Sequence, residues 1–308
     1  MTTTFTGRAA ARAVPSRGTA RRPRPRRRVA PYLFVTPALL LFAVFKLYPI
    51  GRSFVISLHK TVGGTEQFVG ADNYTRLMGD PLFWTALKNT AVILVVQVPV
   101  MLALATGLAA ALNSTLLRGR AVFRLGFFLP MVTGLVAYGI IFSVLLGKDY
   151  GLVNWATGLV GLEPVPWLTD PLWAKVSLGL ALTWHYTGYN AVILLARLQS
   201  VPAELYDAAA VDGAGAWASF RHVTLPGLRP ALLLTTVLST IGTLQIFDEP
   251  YVLTGGGPDN ATLTIGVYLY QNAFKYFDFG YASAIAYALA VLIGILGVIQ
   301  FRFLGEKS

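Results

Sequence analysis

Long apolar runs separated by short polar joints dominate this chain. Six runs are long enough to cross a bilayer as helices, which takes about 20 residues: 31–57, 86–112, 123–147, 174–198, 229–253 and 281–304. The pattern predicts an all-α fold, a polytopic membrane helix bundle with about six transmembrane helices. In the first run Lys46, Pro49 and Arg52 interrupt the second half. Its stretch PYLFVTPALLLFAVFKLYPIG is longer than the apolar centre of a secretory signal and offers no A-x-A cleavage site, so it reads as a retained helix.

One joint is unlike the others. Between the fourth and fifth runs lies ELYDAAAVDGAGAWASFRHVTLP, Glu204 to Pro226. It has too few large apolar side chains to enter lipid, and it is too regular for a plain connector. Ser200 is placed to cap a helix and Pro202 suits a first turn. Residues 203–212 are strong helix formers, and Gly213 can end a helix in the left-handed conformation. A second short helix runs through Trp217 and Phe220 until Pro226 opens the next span. A helix–glycine–helix element lying along a membrane satisfies its own backbone and leaves one face free, which is a docking shape.

Composition agrees with a membrane protein. Hydrophobic residues make up 55% of the 308 and charged residues only 13%, against about 25% charged in soluble domains. There is no cysteine, which removes disulfides, thiolate metal sites and cysteine nucleophiles. The net charge of +11 is concentrated: nine of the 25 basic residues are arginines between Arg8 and Arg28. Residues 1–30 therefore read as a disordered basic cytoplasmic tail obeying the positive-inside rule, not as a nucleic-acid arm. Residues 31–308 form the membrane domain. With the tail inside, Arg118, Arg120 and Arg124, then Arg197, Arg221 and Arg229, and finally Arg302 and Lys307 also fall inside. Both termini come out cytoplasmic, and so does the Glu204–Pro226 element.

The spacing in that element carries a resemblance. Asp207-Ala208-Ala209, then Gly213, then Val223, Leu225 and Pro226 resemble the cytoplasmic "EAA" loop of the membrane subunits of binding-protein-dependent ABC importers, with aspartate where the family has glutamate. FVGADNYTRLMGDPLFWTALKNT, RGRAVFRLGFFLP, DEPYVLTGGGPDNAT and FGYASAIAYAL are similar to landmarks of the carbohydrate-uptake class, the F-type subunit of the maltose system and the A-type subunit of the glycerol-3-phosphate system. The likeness runs from about residue 30 to 304. The chain lacks the additional N-terminal spans and the large external domain of the maltose-system subunit, which puts a shared internal substrate site in doubt. The resemblance implies a permease of a bacterial inner membrane that pairs with a second permease. It also implies an external solute-binding protein and two ABC ATPase subunits, which carry the ATP and Mg while this chain binds no cofactor. The implied ATPase-coupling residues are Glu204, Asp207, Ala208, Ala209, Gly213, Leu225 and Pro226 in a coupling loop of about 200–226.

Other chemistry is sparse. Thr254 to Pro258, TGGGP, lacks the Lys-Ser/Thr of a phosphate loop. It reads as an outer turn, and Gly255, Gly256, Gly257 and Pro258 are candidates for docking the binding protein. His59, His185 and His222 have no zinc-site spacing, so no metal is expected. No nucleophile or acid pair marks a catalytic site. Polar residues inside spans are costly in lipid. They make His185, Tyr189, Asn190, Gln245, Asp248 and Glu249 the candidate substrate path, with interhelical hydrogen bonding as the competing role. Gly179, Gly188, Gly294 and Gly297 are expected to let helices pack closely. The rival reading is an ion-coupled secondary transporter, which predicts internal repeats and deeply placed ionisable residues.

Overall fold

The computed structural model describes residues 2, 30–62, 65–114, 117 and 119–304. Arg8 to Arg28, Arg118 and Lys307 lie outside them. Two units are distinct, residues up to Ile50 and residues from Gly51 on. In the first, α1 (Ala30–Phe42) passes through a π turn (Ala43–Leu47) into the start of α2 (Tyr48–Ser57), whose residues from Gly51 on belong to the second. The large apolar side chains from Tyr32 to Ile50 are exposed.

The second unit is almost wholly helical. A hairpin of β1 (His59–Val62) and β2 (Thr65–Phe68), paired antiparallel with His59 opposite Phe68, precedes α3 (Asp72–Gly79). Then come α4 (Pro81–Asn113), α5 (Arg120–Val132), α6 (Leu135–Leu145), α7 (Leu152–Gly158) and α8 (Pro171–Leu198). The last elements are α9 (Ala203–Val211), α10 (Ala216–Ser219), α11 (Leu225–Leu244), α12 (Asp248–Thr254), α13 (Ile265–Tyr270) and α14 (Phe279–Leu304). A π turn (Phe220–Thr224) joins α10 to α11, and another (Gln271–Lys275) follows α13.

Among the described residues four stretches are long and apolar enough to cross a membrane: Tyr32–Ser57, Pro81–Asn113, Ala216–Leu244 and Phe279–Phe303. The expected span 123–147 is broken instead: α5 and α6 meet at 98°, and counting them as one crossing makes five. The break is at Thr133 and Gly134, the two residues beyond the last Pro130–Val132 turn of α5, whose backbones leave the helical conformation. The fourth expected span, 174–198, is α8, whose 28 residues are long enough but whose buried Ser177, His185 and Asn190 lower its apolarity.

The expected span 229–253 is also two elements. Helix α11 ends at Leu244, and α12 starts at Asp248 after a three-residue turn. Pro250 explains the stop. A continued helix would bond the N–H of residue 250 to the carbonyl of Ile246, and proline has none. That carbonyl accepts instead from the Thr264 hydroxyl, at 3.0 Å. Asp248 and Glu249 then occupy a first helical turn, where the helix dipole favours acids. Starts are marked as clearly. Asp80 accepts from Leu82 N and Asp170 from Leu172 N and Trp173 N, each ahead of a proline, which sets α4 and α8 several residues earlier than the apolar runs suggest.

Helix α4 is the axis of the unit. Ala86, Thr90, Ile93, Gln97, Met101, Ala105, Ala109 and Leu112 are buried along it at steps of three and four, one stripe of an α-helix. Its lower half packs Ala105, Ala109 and Leu112 against Ala191, Leu194 and Leu198 of α8 and Leu228 of α11. In lipid such packing depends on close van der Waals fit and hydrogen bonds, the latter averaging about 0.6 kcal/mol each. The four glycines singled out for close packing behave differently. A Cβ on Gly188 would strike the backbone carbonyl of Phe127, so α5 and α8 touch there backbone to backbone. Gly179, Gly294 and Gly297 have no atom within 4 Å of such a Cβ and are not closely packed within the chain.

At the other end of α4, polar ties hold the 255–281 return in place. Asn89 donates to the carbonyls of Asn260 (2.7 Å) and Leu263 (3.0 Å), and the Thr90 hydroxyl accepts from Ile265 N (3.1 Å). The Asp80 carboxylate accepts from the hydroxyls of both Tyr268 and Tyr281. Burial by itself would raise the Asp80 pKa. These hydroxyls, with the N–H groups of Leu82 and Phe83, outweigh it and hold the carboxyl below its ordinary value. Arg76 closes the cluster, its guanidinium 3.9 Å from the Tyr281 ring centroid and 2.6 Å from Asp278 Oδ2. Burial opposes its charge, but Asp278 prevails and the arginine pKa is raised.

Candidate functional site

Two places gather the residues that the sequence singled out. The first is the Glu204–Pro226 element. Helix α9 follows Pro202 directly, without a side-chain cap. Ser200 does not cap it: its hydroxyl donates to the Arg197 carbonyl (2.7 Å) and accepts from Arg197 Nη1 (3.0 Å), while Arg197 Nε donates to Gly227 O (3.0 Å). The same arginine thus ties the end of α8 to the start of α11 and fixes the base of the element. Gly213 adopts φ +76°, where a side chain is strained. Its N–H and that of Ala214 close the helix onto the carbonyls of Ala210 (3.1 Å) and Ala209 (2.9 Å).

Helix α9 has an inner and an outer face. Tyr206 and Ala209, three apart, are half-buried, and the Tyr206 hydroxyl lies 3.1 Å from Thr224 Oγ1 at the foot of α11. Glu204, Asp207, Ala208 and Val211 are exposed, and Asp207 forms no ion pair among the described residues. Leu225 and Pro226 open α11. Trp217 is 72% exposed and stacks on Phe220, ring centroids 5.6 Å apart. The element is thus anchored at one end by the two helices it links, with an acidic, small-residue face left open.

The second place is a cavity of about 310 Å³ between α4, α8, the end of α11 and the start of α12, within the range of about 300–1,000 Å³ seen for small-molecule sites. It exists because α11 stops at Leu244 and the chain turns. The structure brings Tyr189, Asn190, Gln245, Asp248 and Glu249 together in its wall. His185 is not among them. It is buried, with its ring stacked on Tyr138 at 4.4 Å. The reason is helical phase: residues 186, 189 and 190 share a face that 185 leaves. Tyr186 OH donates to Glu249 Oε1 (3.2 Å), and Asn190 Nδ2 donates to Tyr186 O (3.0 Å).

Gln97, Met101 and Tyr186 also line the cavity, and the sequence reading did not single them out. Gln97 had a signal: it is the lone amide in the apolar run AVILVVQVPVMLALA. The glycine turn lies apart from this wall. Gly255 (φ +63°) ends α12 and is exposed, Gly256 (φ +93°) is buried near Leu263 and Val267, and Gly257 and Pro258 are half-buried. Thr262 pins the turn by donating to Gly257 O (2.7 Å).

Comparison with known proteins gives these features a family. Residues 29–305 match the family described as binding-protein-dependent transport system inner membrane component. The lactose transport system permease protein LacF of Rhizobium radiobacter is 47% identical over 283 residues, covering 90% of this chain and 94% of that protein. The arabinooligosaccharides transport system permease protein AraP of Bacillus subtilis is 37% identical over 288 residues, 91% of this chain and 90% of that one. In fold, the chain superposes with TM-score 0.80 on a bacterial ABC transporter involved in import of the acidic polysaccharide alginate, at 22% identity, covering 90% of this chain and 95% of the other. With the match extending over nearly all the described residues, the chain belongs to the inner membrane components of binding-protein-dependent transport systems.

Proposed function

We propose that this chain is one permease of an ATP-driven sugar importer, forming half of the translocation path and coupling it to ATPase subunits that carry the ATP and Mg. The observation that supports this most is the anchored α9–Gly213–α10 element. It keeps the importer spacing and offers Glu204, Asp207 and Ala208 on an open face. Alanines admit a partner surface closely, the acid can meet a basic group on it, and a rigid helix transmits closure where a slack loop would not. The Arg197 ties and the continuous run from α10 through the π turn into α11 connect that face to two spanning helices.

In this reading the element and both termini face the cytoplasm of a bacterium, and the chain spans its inner membrane several times beside a second permease. A solute-binding protein docks on the opposite side, where the Gly255–Pro258 turn is the candidate contact. The cavity beneath α12 lies on the solute path, with Tyr189, Asn190, Gln245, Asp248 and Glu249 at its wall. The relatives point to oligosaccharides as cargo, with lactose the first to test.

Proteoliposomes holding this chain, its partner permease, the ATPase and the binding protein are expected to accumulate lactose, or another neutral oligosaccharide from a panel, only when ATP is supplied. Accumulation by this chain alone, driven by a proton or sodium gradient, would overturn the proposal.

A further inference from the structure

Helix α7 is built inside out for water. Leu152 and Trp155, with Leu159 at its C-cap, share one face at steps of three and four and are 56%, 63% and 70% exposed. Ala156, on the same face, is exposed as well. The polar side chain is on the other side. Asn154 is buried and fully used: Nδ2 donates to the carbonyls of Lys148 and Val165, both at 2.9 Å. Its Oδ1 accepts from Val165 N (3.1 Å) and Trp167 Nε1 (2.9 Å). Ser177 of α8 then donates to the Trp167 carbonyl (2.8 Å). The exposed apolar face is thus fixed onto the start of α8, not carried on a loop free to turn it inward. At 1.5 Å per residue the 28 residues of α8 run about 42 Å, more than the roughly 30 Å of hydrocarbon in a bilayer. Its ends therefore lie at opposite membrane surfaces, one joined to α7 and the other to the α9 element.

We propose that α7 is an interfacial helix whose Leu152–Trp155–Leu159 face sits in lipid at the membrane surface opposite the α9 element. Three observations choose lipid over a protein partner. The face offers a single hydrogen-bonding group, the Trp155 indole N–H, where protein interfaces carry roughly one hydrogen bond per 100–200 Å². Next, α7 follows α6 after a tight turn, in which a Cβ on Gly151 would strike Gly147 O. The exposed stripe of α6, Val136, Ile140 and Val144, is itself apolar, as a lipid-facing stripe is, so α7 continues that surface along the chain. Last, charges stand at both ends of α7, Lys148 and Asp149 before it and Glu163 after it, all exposed. Tyr150 and Trp155 lie between them, exposed aromatics of the kind concentrated at membrane interfaces. Because Asn154 ties α7 to Val165 and Trp167, and Ser177 ties Trp167 to α8, lipid that holds α7 also sets the height of α8. The inference needs only that the chain spans a membrane and stands whatever the cargo.

The test uses spin labels, one at a time, in a chain that has no cysteine of its own. The complex with its partner subunits is reconstituted in vesicles of phosphatidylcholine and phosphatidylglycerol. Labels at Leu159→Cys and Glu163→Cys are compared by collision with oxygen, which enters lipid, and with a nickel chelate, which stays in water. The oxygen-to-nickel ratio at 159 is expected to exceed that at 163 by at least about five-fold. Equal, nickel-rich ratios would place the face in water. Low access to both reagents at 159, or a label immobilised when the binding protein is added, would place it against protein. Either result overturns the proposal. Should Leu159→Cys not assemble, Trp155 answers the same question. Brominated phosphatidylcholine is expected to quench more emission from wild type than from Trp155→Phe, and equal quenching overturns the lipid contact.

Discussion

Replacing Asp207 with lysine is expected to lower ATP-driven uptake by at least about ten-fold while the assembled complex still hydrolyses ATP, inside the span of about 5–150-fold that allosteric coupling between sites usually covers. The side chain is exposed on the outer face of α9 and carries no ion pair within the described residues, so its reversal leaves the chain's own packing alone. On the proposed function, what changes is the face presented to the ATPase. A partner surface shaped for a small acidic helix then meets a long cation, and nucleotide-driven closure no longer favours one transport state strongly over the other. Asp207→Glu restores the residue usual in the importer pattern and should keep uptake near normal. Normal uptake by the lysine variant, with intact complex on gel filtration, would remove Asp207 from the coupling role.

The second large effect separates two glycines of one helix. Gly188→Ala adds a single methyl where the carbonyl of Phe127 already lies, whereas Gly179→Ala adds it to space with no atom within 4 Å. The obstacle at 188 is backbone, which cannot swing aside like a side-chain tip. The α5–α8 contact must therefore open, at more than the roughly 1–3 kcal/mol of ordinary overpacking. The expected result is a thermal midpoint in detergent at least about 5 °C lower for Gly188→Ala. Gly179→Ala should match wild type or exceed it slightly, since alanine favours helix more than glycine does. Equal midpoints for the two variants would show that the close approach is absent.

These particulars also show what the sequence disclosed. The long apolar helices were legible because apolar length is nearly the whole requirement for crossing lipid, although four stretches, or five with the bent pair, qualify among the described residues where six were expected. Their ends and interruptions needed finer chemistry. The Asp80-Pro81 and Asp170-Pro171 pairs are helix-start signals that an apolar window overlooks. The stop before Asp248 follows from Pro250, but only the structure shows Thr264 taking the carbonyl that the proline frees. The bend at Thr133 and Gly134 is hidden inside an otherwise continuous apolar run. The β1–β2 hairpin, His59 to Phe68, escaped a reading of apolar runs because its strands have only four residues each.

The candidate sites divide in the same manner. In the α9–Gly213–α10 element, α9 and its left-handed glycine were readable locally, but the break expected at Pro226 is absent: α10 continues through the π turn into α11 as one stretch, Ala216–Leu244. The cavity was not readable locally. Its wall joins α4, α8, α11 and α12 across more than 150 positions, so polar residues inside spans nominated candidates without showing which meet. His185 and Asn190 looked equivalent in the chain, and helical phase sends one against Tyr138 and the other into the cavity.

Because the chain has no cysteine, one introduced thiol reports its own position without background. Val211, 89% exposed at the end of α9, is the place for it. A membrane-impermeant maleimide should label Val211→Cys in inverted vesicles and not in right-side-out cells, and bound ATPase should slow that labelling several-fold. Labelling from outside, or a rate indifferent to the ATPase, would contradict the account.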